Sequence, residues 1–175
     1  IIGAGDHLGS AIARRFAKEG FHLVVTRRRG DLDLLSSEIQ ALGSSATAIH
    51  SDARDEDQVI ELVERVESEH GPIRVAVFNV GGNVRYDICE TSTRVYRKVW
   101  EMCALAGFLV GREVAKKMLQ RNEGTLLFTG ASASLRGGRG FAAFAGGKHA
   151  LRALAQSTAR ELGPQGIHVA HVVVD

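Results

Sequence analysis

Two short stretches carry residue types suited to holding phosphate. The first is Gly3-Ala4-Gly5-Asp6-His7-Leu8-Gly9. Glycines permit a tight turn and let backbone N–H groups approach a pyrophosphate. The spacing is G-x-G-x-x-x-G, and Leu8 stands where the G-x-G-x-x-G fingerprint has its third glycine. By itself the pattern also fits a plain glycine turn. Placed between a strand and a helix, it points to a dinucleotide, with Gly3, Gly5, His7, Leu8 and Gly9 around the phosphates. The second stretch is Arg27-Arg28-Arg29. Domains that prefer NAD hold the ribose 2′-hydroxyl with an acid near this point, whereas an arginine accommodates the 2′-phosphate of NADP. No acid stands at positions 26–29. A guanidinium pairs with phosphate bidentately. The run therefore favours NADP(H) over NAD(H), with Arg27 and Arg28 as the expected contacts. A solvated basic turn is the plain alternative.

These stretches need a scaffold that places them together, and the chain alternates short apolar runs with helical periods. Ile1-Ile2 reads as the end of a strand. A helix is expected over 9–19, with Leu8, Ile12 and Phe16 on one face. Strands are expected over 21–26, 46–50, 73–78, 124–129 and 167–174. Between them lie a helix over 31–42 capped by Asp31 and a helix opening at Asp55, with Gln58 as its capping partner. The stripe Val59, Leu62, Val63 and Val66 of that second helix is expected to be buried, and Gly71-Pro72 stops it. Further on come a long helix over 93–121, a glycine-rich loop over 136–140 and a helix over 141–162. Strand–helix alternation implies a parallel sheet covered on both faces, a doubly wound Rossmann-type α/β domain. Ligands of such sheets sit beyond the carboxyl ends of the strands. That rule selects the loops at 3–9, 26–29, 51–52, 79–82 and 129–134.

Composition removes other classes. Lys and Arg number 22 against 20 Asp and Glu, a net charge of +2, so no concentrated basic face for nucleic acid is expected. No apolar run approaches the roughly 20 residues that span a bilayer, so no membrane partner is expected. At 175 residues the chain reads as a single domain, 1–175. Cys89 and Cys103 read as free thiols in a reducing, cytoplasmic compartment, and no metal site is expected.

The loops together resemble the short-chain dehydrogenase/reductase family, over essentially the whole chain. Gly3, Gly9, Ala11 and Ala13 match its glycine loop and first helix. Asp52 matches the acid that contacts the adenine ring, with Ala53 beside it, and Asn79-Val80-Gly81 matches the end of its Asn-Asn-Ala-Gly motif. The stretch from Arg136-Gly137-Gly138 to Phe141-Ala142-Ala143 is similar to the loop leading into the active-site helix, and Lys148 falls on that helix's lysine. The run from Ala159 to Pro164 and then Gly166-Ile167-His168-Val169 resembles its helix end and sixth strand. The resemblance implies an NAD(P)-binding fold, a cofactor site including Asp52, Ala53, Asn79, Gly81 and Lys148, a catalytic role for Lys148, and a homodimer or homotetramer joined through the helices at 93–121 and 141–162. It also implies that the chain is clipped at both ends, because strand one is short and the family continues past Asp175 into a substrate loop.

The departures from the family bear on chemistry. His7 replaces the middle loop glycine. Phe144 stands where the family has its catalytic Tyr, Ala131 where it has Ser, and Cys103 where the helix carries Asn. A phenyl ring can neither transfer a proton nor donate a hydrogen bond. Losing a general acid costs about 10²–10⁴ in rate. Candidate substitutes are Ser132, Ser134, His149, Cys103, His7 and Tyr86, each with a plain packing or loop role as its alternative. Lys148 can still hold the nicotinamide ribose without the Tyr. Three readings stay open: an NADP(H)-dependent oxidoreductase on an unknown carbonyl or alcohol with a rearranged proton donor, a catalytically silent NADP(H)-binding sensor or scaffold, and a structural subunit of an oligomer.

Overall fold

Short apolar runs build parallel strands in this computed structural model, which describes residues 1–174. Asp175, the residue after the last expected strand, lies outside the described residues. The strands are β1 (Leu23–Arg27), β2 (Ala46–His50), β3 (Val75–Phe78), β4 (Gly124–Gly130) and β5 (Ile167–Val173). β1 pairs with β2, and β3, β4 and β5 pair in that order, all parallel. Ile2 bridges Thr26 of β1 and Phe78 of β3, so the expected strand end at Ile1-Ile2 is the link that joins both halves. The chain runs outward from Ile2 to β1 and β2, then returns to build β3, β4 and β5 on the other side. That reversal opens a crevice at the carboxyl ends of the strands.

The helices are α1 (Leu8–Ala17), α2 (Asp33–Ala41), α3 (Glu56–Glu69), α4 (Thr93–Trp100), α5 (Ala106–Leu119) and α6 (Ala142–Leu162). Apolar side chains sort into two cores. Leu23 and Val25 of β1 pack with Ala13, Ala17, Leu35 and Ile39 of α1 and α2. Phe78, Leu126 and Phe128 pack with Val59, Val110 and Leu151 of α3, α5 and α6. The doubly wound expectation holds.

Local chemistry explains the helix starts. Asp55 caps α3 by accepting from the Gln58 backbone N at 3.2 Å. The Gln58 amide donates to Asp55 at 2.9 Å, while its oxygen accepts from the Asp52 backbone N at 2.9 Å. Asp31, expected to cap the helix over 31–42, lies one residue before the cap position: α2 begins at Asp33 with Leu32 as its N-cap, and Asp31 only accepts from the Asp33 backbone N at 2.6 Å. Val59, Leu62 and Val63 are buried as expected, whereas Val66, nearer the helix end, is only partly buried against the same core.

Two further expectations are corrected. The face of α1 that packs inward is Gly9, Ser10, Ala13 and Ala17, and Leu8 is exposed. Small residues let this helix lie against the sheet: a Cβ on Gly9 would sit 2.4 Å from the Gly3 carbonyl oxygen. The expected helix over 93–121 is α4 and α5 joined by a π turn, Glu101–Leu105. The wide turn buries Cys103 against α6, where a Cβ on Gly147 would come within 2.8 Å of the Cys103 Cβ.

Candidate functional site

The glycine loop leaves the sheet at the point of strand reversal and is tied there on both sides. Gly3 N and Ala4 N donate to the Thr26 carbonyl at 2.9 Å, and Asn79 N donates to Ile2 O at 2.8 Å. Gly3 has φ +89°, and a Cβ on it would meet the Asn79 carbonyl oxygen at 2.7 Å. Gly3 and Gly9 are therefore required by the protein's own backbone. Gly5 differs, because nothing lies within 4 Å of where its Cβ would be. That open face is where a ligand's phosphates can approach backbone. The Ser10 hydroxyl donates to the Asp6 and His7 carbonyls at 2.9 and 2.8 Å and fixes the loop's shape. His7 is exposed at the N-cap and its side chain makes no capping bond.

The arginine run divides at the end of β1. Arg27 folds back, donating to Asp6 Oδ1 at 2.8 Å and to the Arg29 carbonyl at 2.6 Å. Arg28 is exposed, and its nearest acid, Asp52, is 3.9 Å away. Asp52 is engaged instead by Arg54, at 2.9 Å from Nε and 2.5 Å from Nη2. The Arg54 hydrogen bonds hold the Asp52 carboxyl below the usual carboxylate range against the cost of its burial, with Arg28 adding to the effect. Arg54 was not singled out in the sequence; an Asp-x-Arg pair directly after a strand is the signal that could have found it. Ala53 is buried in the core.

The floor of the crevice is one connected set of polar groups. The Asn79 amide donates to the Gly3 carbonyl at 2.9 Å. The Thr129 hydroxyl lies 2.9 Å from Asn79 Oδ1 and 3.2 Å from the Phe78 carbonyl, both acceptors for its one proton. Lys148 Nζ donates to the Thr129 carbonyl at 2.8 Å and the Val80 carbonyl at 3.4 Å. Lys148 is buried, which lowers its pKa, while the nearby Cys103 partly offsets that shift. Gly81 lies beside it, where a Cβ would be in ordinary contact with Nζ at 3.4 Å. Thr129, absent from the sequence-derived site, is the hinge of this set. A cleft of about 650 Å³ opens above it, lined by Leu8, Asn79, Gly81 and Lys148 on one side. A second cavity of about 410 Å³ lies away from these residues, among Phe21, His70 and Pro72.

Beyond Thr129 the lining turns apolar. Phe144 is buried, with its ring centroid 5.9 Å from Lys148 Nζ. It clusters with Val99, Cys103 and Ala143, and Ala131 and Phe141 pack alongside. Burial pushes the Cys103 thiol up, a shift that Lys148 and the Gly82 backbone only reduce. Of the candidate substitutes, Ser132 lines the cleft. Ser134 is buried and accepts from the Ala131 backbone N at 3.1 Å. His149 is exposed, its Nδ1 2.8 Å from the Ala145 carbonyl of its own helix, and Tyr86 is an exposed loop residue. His171 escaped the sequence reading. It fills the space a side chain on Gly130 would need, with Cε1 at 2.1 Å from that Cβ position. Its buried Nε2 has no hydrogen-bond partner. Burial lowers its pKa, and the charges of Lys148 and Arg152 add to that shift.

A dinucleotide fits these features. The open face at Gly5, the carbonyl-anchored ammonium of Lys148 and the cleft between them lie along the carboxyl ends of adjacent strands. Comparison with known proteins points the same way. A crystal structure of a short-chain dehydrogenase from Rhodopseudomonas palustris is 53% identical, with a TM-score of 0.95, covering 99% of this chain and 82% of that one. The structure of an NAD+-bound xylitol dehydrogenase is 25% identical with a TM-score of 0.95, covering 98% of this chain and 67% of that one. A short-chain dehydrogenase/reductase of Armillaria gallica is 28% identical over 173 residues, 97% of this chain and 66% of its own length. The 1-deoxy-11-beta-hydroxypentalenate dehydrogenase of Streptomyces exfoliatus is 31% identical over 97% of this chain and 63% of its own length. The chain thus spans somewhat under two thirds of the length of these two curated relatives. Residues 1–174 match the short chain dehydrogenase family model, and the chain belongs to that family.

Proposed function

We propose that this chain is an NADP(H)-dependent oxidoreductase acting on a carbonyl or alcohol substrate. The observation that carries the cofactor choice is at the end of β1. Arg28 is exposed there, its ion-pair neighbour Asp52 stands 3.9 Å away and is held more closely by Arg54, and no acid stands at positions 26–29 to hold a ribose 2′-hydroxyl. Arg28 would take the 2′-phosphate, the Gly5 face the pyrophosphate, and Asn79 and Lys148 the nicotinamide side. When bound, the nicotinamide supplies or accepts the hydride. Lys148 orients that half of the cofactor, held by the Thr129 and Val80 carbonyls. Phe141 and Phe144 exclude water from the reacting carbon. Proton delivery falls to a group other than residue 144; Thr129 and Ser132 both bring hydroxyls to the cleft, and that of Thr129 is directed at Asn79 and the Phe78 carbonyl.

The apolar cluster of Phe144, Cys103 and Ala131 favours a second reading, a cofactor-binding protein without turnover. We also propose a cytoplasmic homo-oligomer. Tyr96, Trp100 and Phe108 expose 42–45% of their surface along α4 and α5, a face suited to a second copy. No described helix is long and apolar enough to cross a membrane.

The test is a fluorescence titration of the protein with NADPH and NADH, repeated with Arg28→Ala. Tighter binding of NADPH, weakened about tenfold in the variant while NADH is unchanged, is the expected result. Binding of neither nucleotide would overturn both readings.

A further inference from the structure

The cleft carries a charge asymmetry that the dinucleotide does not explain. Beyond Thr129 its wall is formed by Ala131, Ala133, Phe141 and Phe144. Among the described residues, two ionisable side chains line it, Lys148 on the floor and Arg136 at the rim, and no carboxylate does. Lys148 is held to main-chain carbonyls. Arg136 stands on the loop after β4.

Its backbone is fixed. Arg136 N donates to the Ser132 carbonyl at 3.1 Å and Leu135 N to the same carbonyl at 2.9 Å, so the side chain leaves from a set position. The guanidinium, by contrast, has no hydrogen bond or ion pair among the described residues. Elsewhere in the molecule Arg14, Arg27, Arg54, Arg112 and Arg121 each hold a carboxylate within 3.1 Å. Arg85 lies over the ring of Phe141, a cleft-lining residue, at 6.0 Å and adds positive potential nearby. A cationic rim over an aromatic wall is complementary to an organic anion.

We infer that the substrate of this cleft is a hydroxy or oxo compound bearing a carboxylate, with the carboxylate on Arg136 and the apolar body against Phe141 and Phe144. The inference rests on the oxidoreductase reading above, which leaves this side of the cleft for the substrate. A planar guanidinium matches a carboxylate with two parallel hydrogen bonds. A phosphate group would call for a cluster of donors, and the other cleft-lining cation is already occupied by carbonyls.

Benzoate and its neutral isostere benzamide are the probes, titrated by saturation-transfer NMR with and without saturating NADPH. The protein is compared with Arg136→Gln and with Arg139→Gln, a charge control on the same loop that does not line the cleft. Both residues are exposed, so folding is preserved. The expected result is benzoate binding at least about tenfold tighter than benzamide, the preference lost in Arg136→Gln and kept in Arg139→Gln. Equal binding of the two probes, or equal losses in the two variants, would overturn the inference. NADPH binding is read in the same samples. Its presence without a benzoate preference sinks the substrate class alone, whereas its absence sinks the oxidoreductase reading independently of the probes.

Discussion

On the glycine-loop side of the cleft, polar groups are tied to one another in a chain: Gly3 to Asn79, Asn79 to Thr129, Thr129 to Lys148. A few ångströms further on, past Thr129, the lining is Ala131, Phe141 and Phe144, and the thiol of Cys103 is sealed beneath it. The first region has little freedom to vary, because each group satisfies a buried partner, and an orphaned partner costs about 1–3 kcal/mol. In the second region, replacing a hydroxyl-bearing ring by phenyl leaves no partner stranded. On the proposed reading, nucleotide holding falls to the first region and proton transfer to the second, so the two are separable within one cleft. The apparatus for the first can persist while the second is rebuilt or lost.

The largest effect would come from restoring hydroxyls on the apolar side. Phe144→Tyr combined with Ala131→Ser is expected to raise NADPH-dependent aldehyde reduction about 10²–10⁴-fold, with nucleotide affinity unchanged. Steady-state kinetics on a panel of aldehydes reads it; no gain would show that Cys103 and its neighbours have altered more than the proton donor. On the other side, Gly9→Ala drives a Cβ to 2.4 Å from the Gly3 carbonyl oxygen. It is expected to abolish NADPH binding and to cost about 1–3 kcal/mol in urea denaturation. Gly5→Ala sharpens the contrast, since it meets no protein atom. Its expected signature is weakened nucleotide binding at unchanged stability. If Gly5→Ala instead behaved like Gly9→Ala, the open face would not be a ligand face.

Thr129→Val tests the boundary. It removes the hydroxyl beside Asn79 and the Phe78 carbonyl and is expected to cost about 1–3 kcal/mol, with a loosened glycine loop seen as faster amide exchange at Gly3. The smallest effect belongs to Asp52→Asn, about 1 kcal/mol, because the ion pair with Arg54 is partly solvated. Its sign with pH is determined. The Asp52 carboxyl is depressed in the fold, so its stabilisation is complete above its unfolded value and fades as pH falls through the folded one. The stability difference between wild type and variant should therefore be flat near neutrality and shrink in acid; a difference growing in acid would contradict the pairing.

Much of this architecture was legible in the chain because local signals agreed with the global fold. The capping residue Asp55 and the positive-φ Gly3 act at short range, and each behaves as its type dictates. The inward face of α1 was misread because the apolar stripe Leu8, Ile12, Phe16 is the stronger pattern. Close approach to the sheet selects small residues instead, a demand set by a distant strand. The π turn at Glu101–Leu105 gave no warning for the same reason. No proline or glycine breaks that stretch, and the turn follows from fitting α6 at Gly147.

The order of apolar runs and turn residues determined a parallel sheet with helices on both faces, the loops that matter, and the absence of a hydroxyl at position 144, because these depend on residue type and period alone. Tertiary structure decided which of the candidates meet. It set Arg28 apart from Arg27, gave Asp52 to Arg54, brought Thr129 between Asn79 and Lys148, and laid His171 over Gly130. Such pairings join residues distant in sequence or choose among near-identical neighbours, and only the packing of strands and helices fixes which of them come within hydrogen-bonding reach.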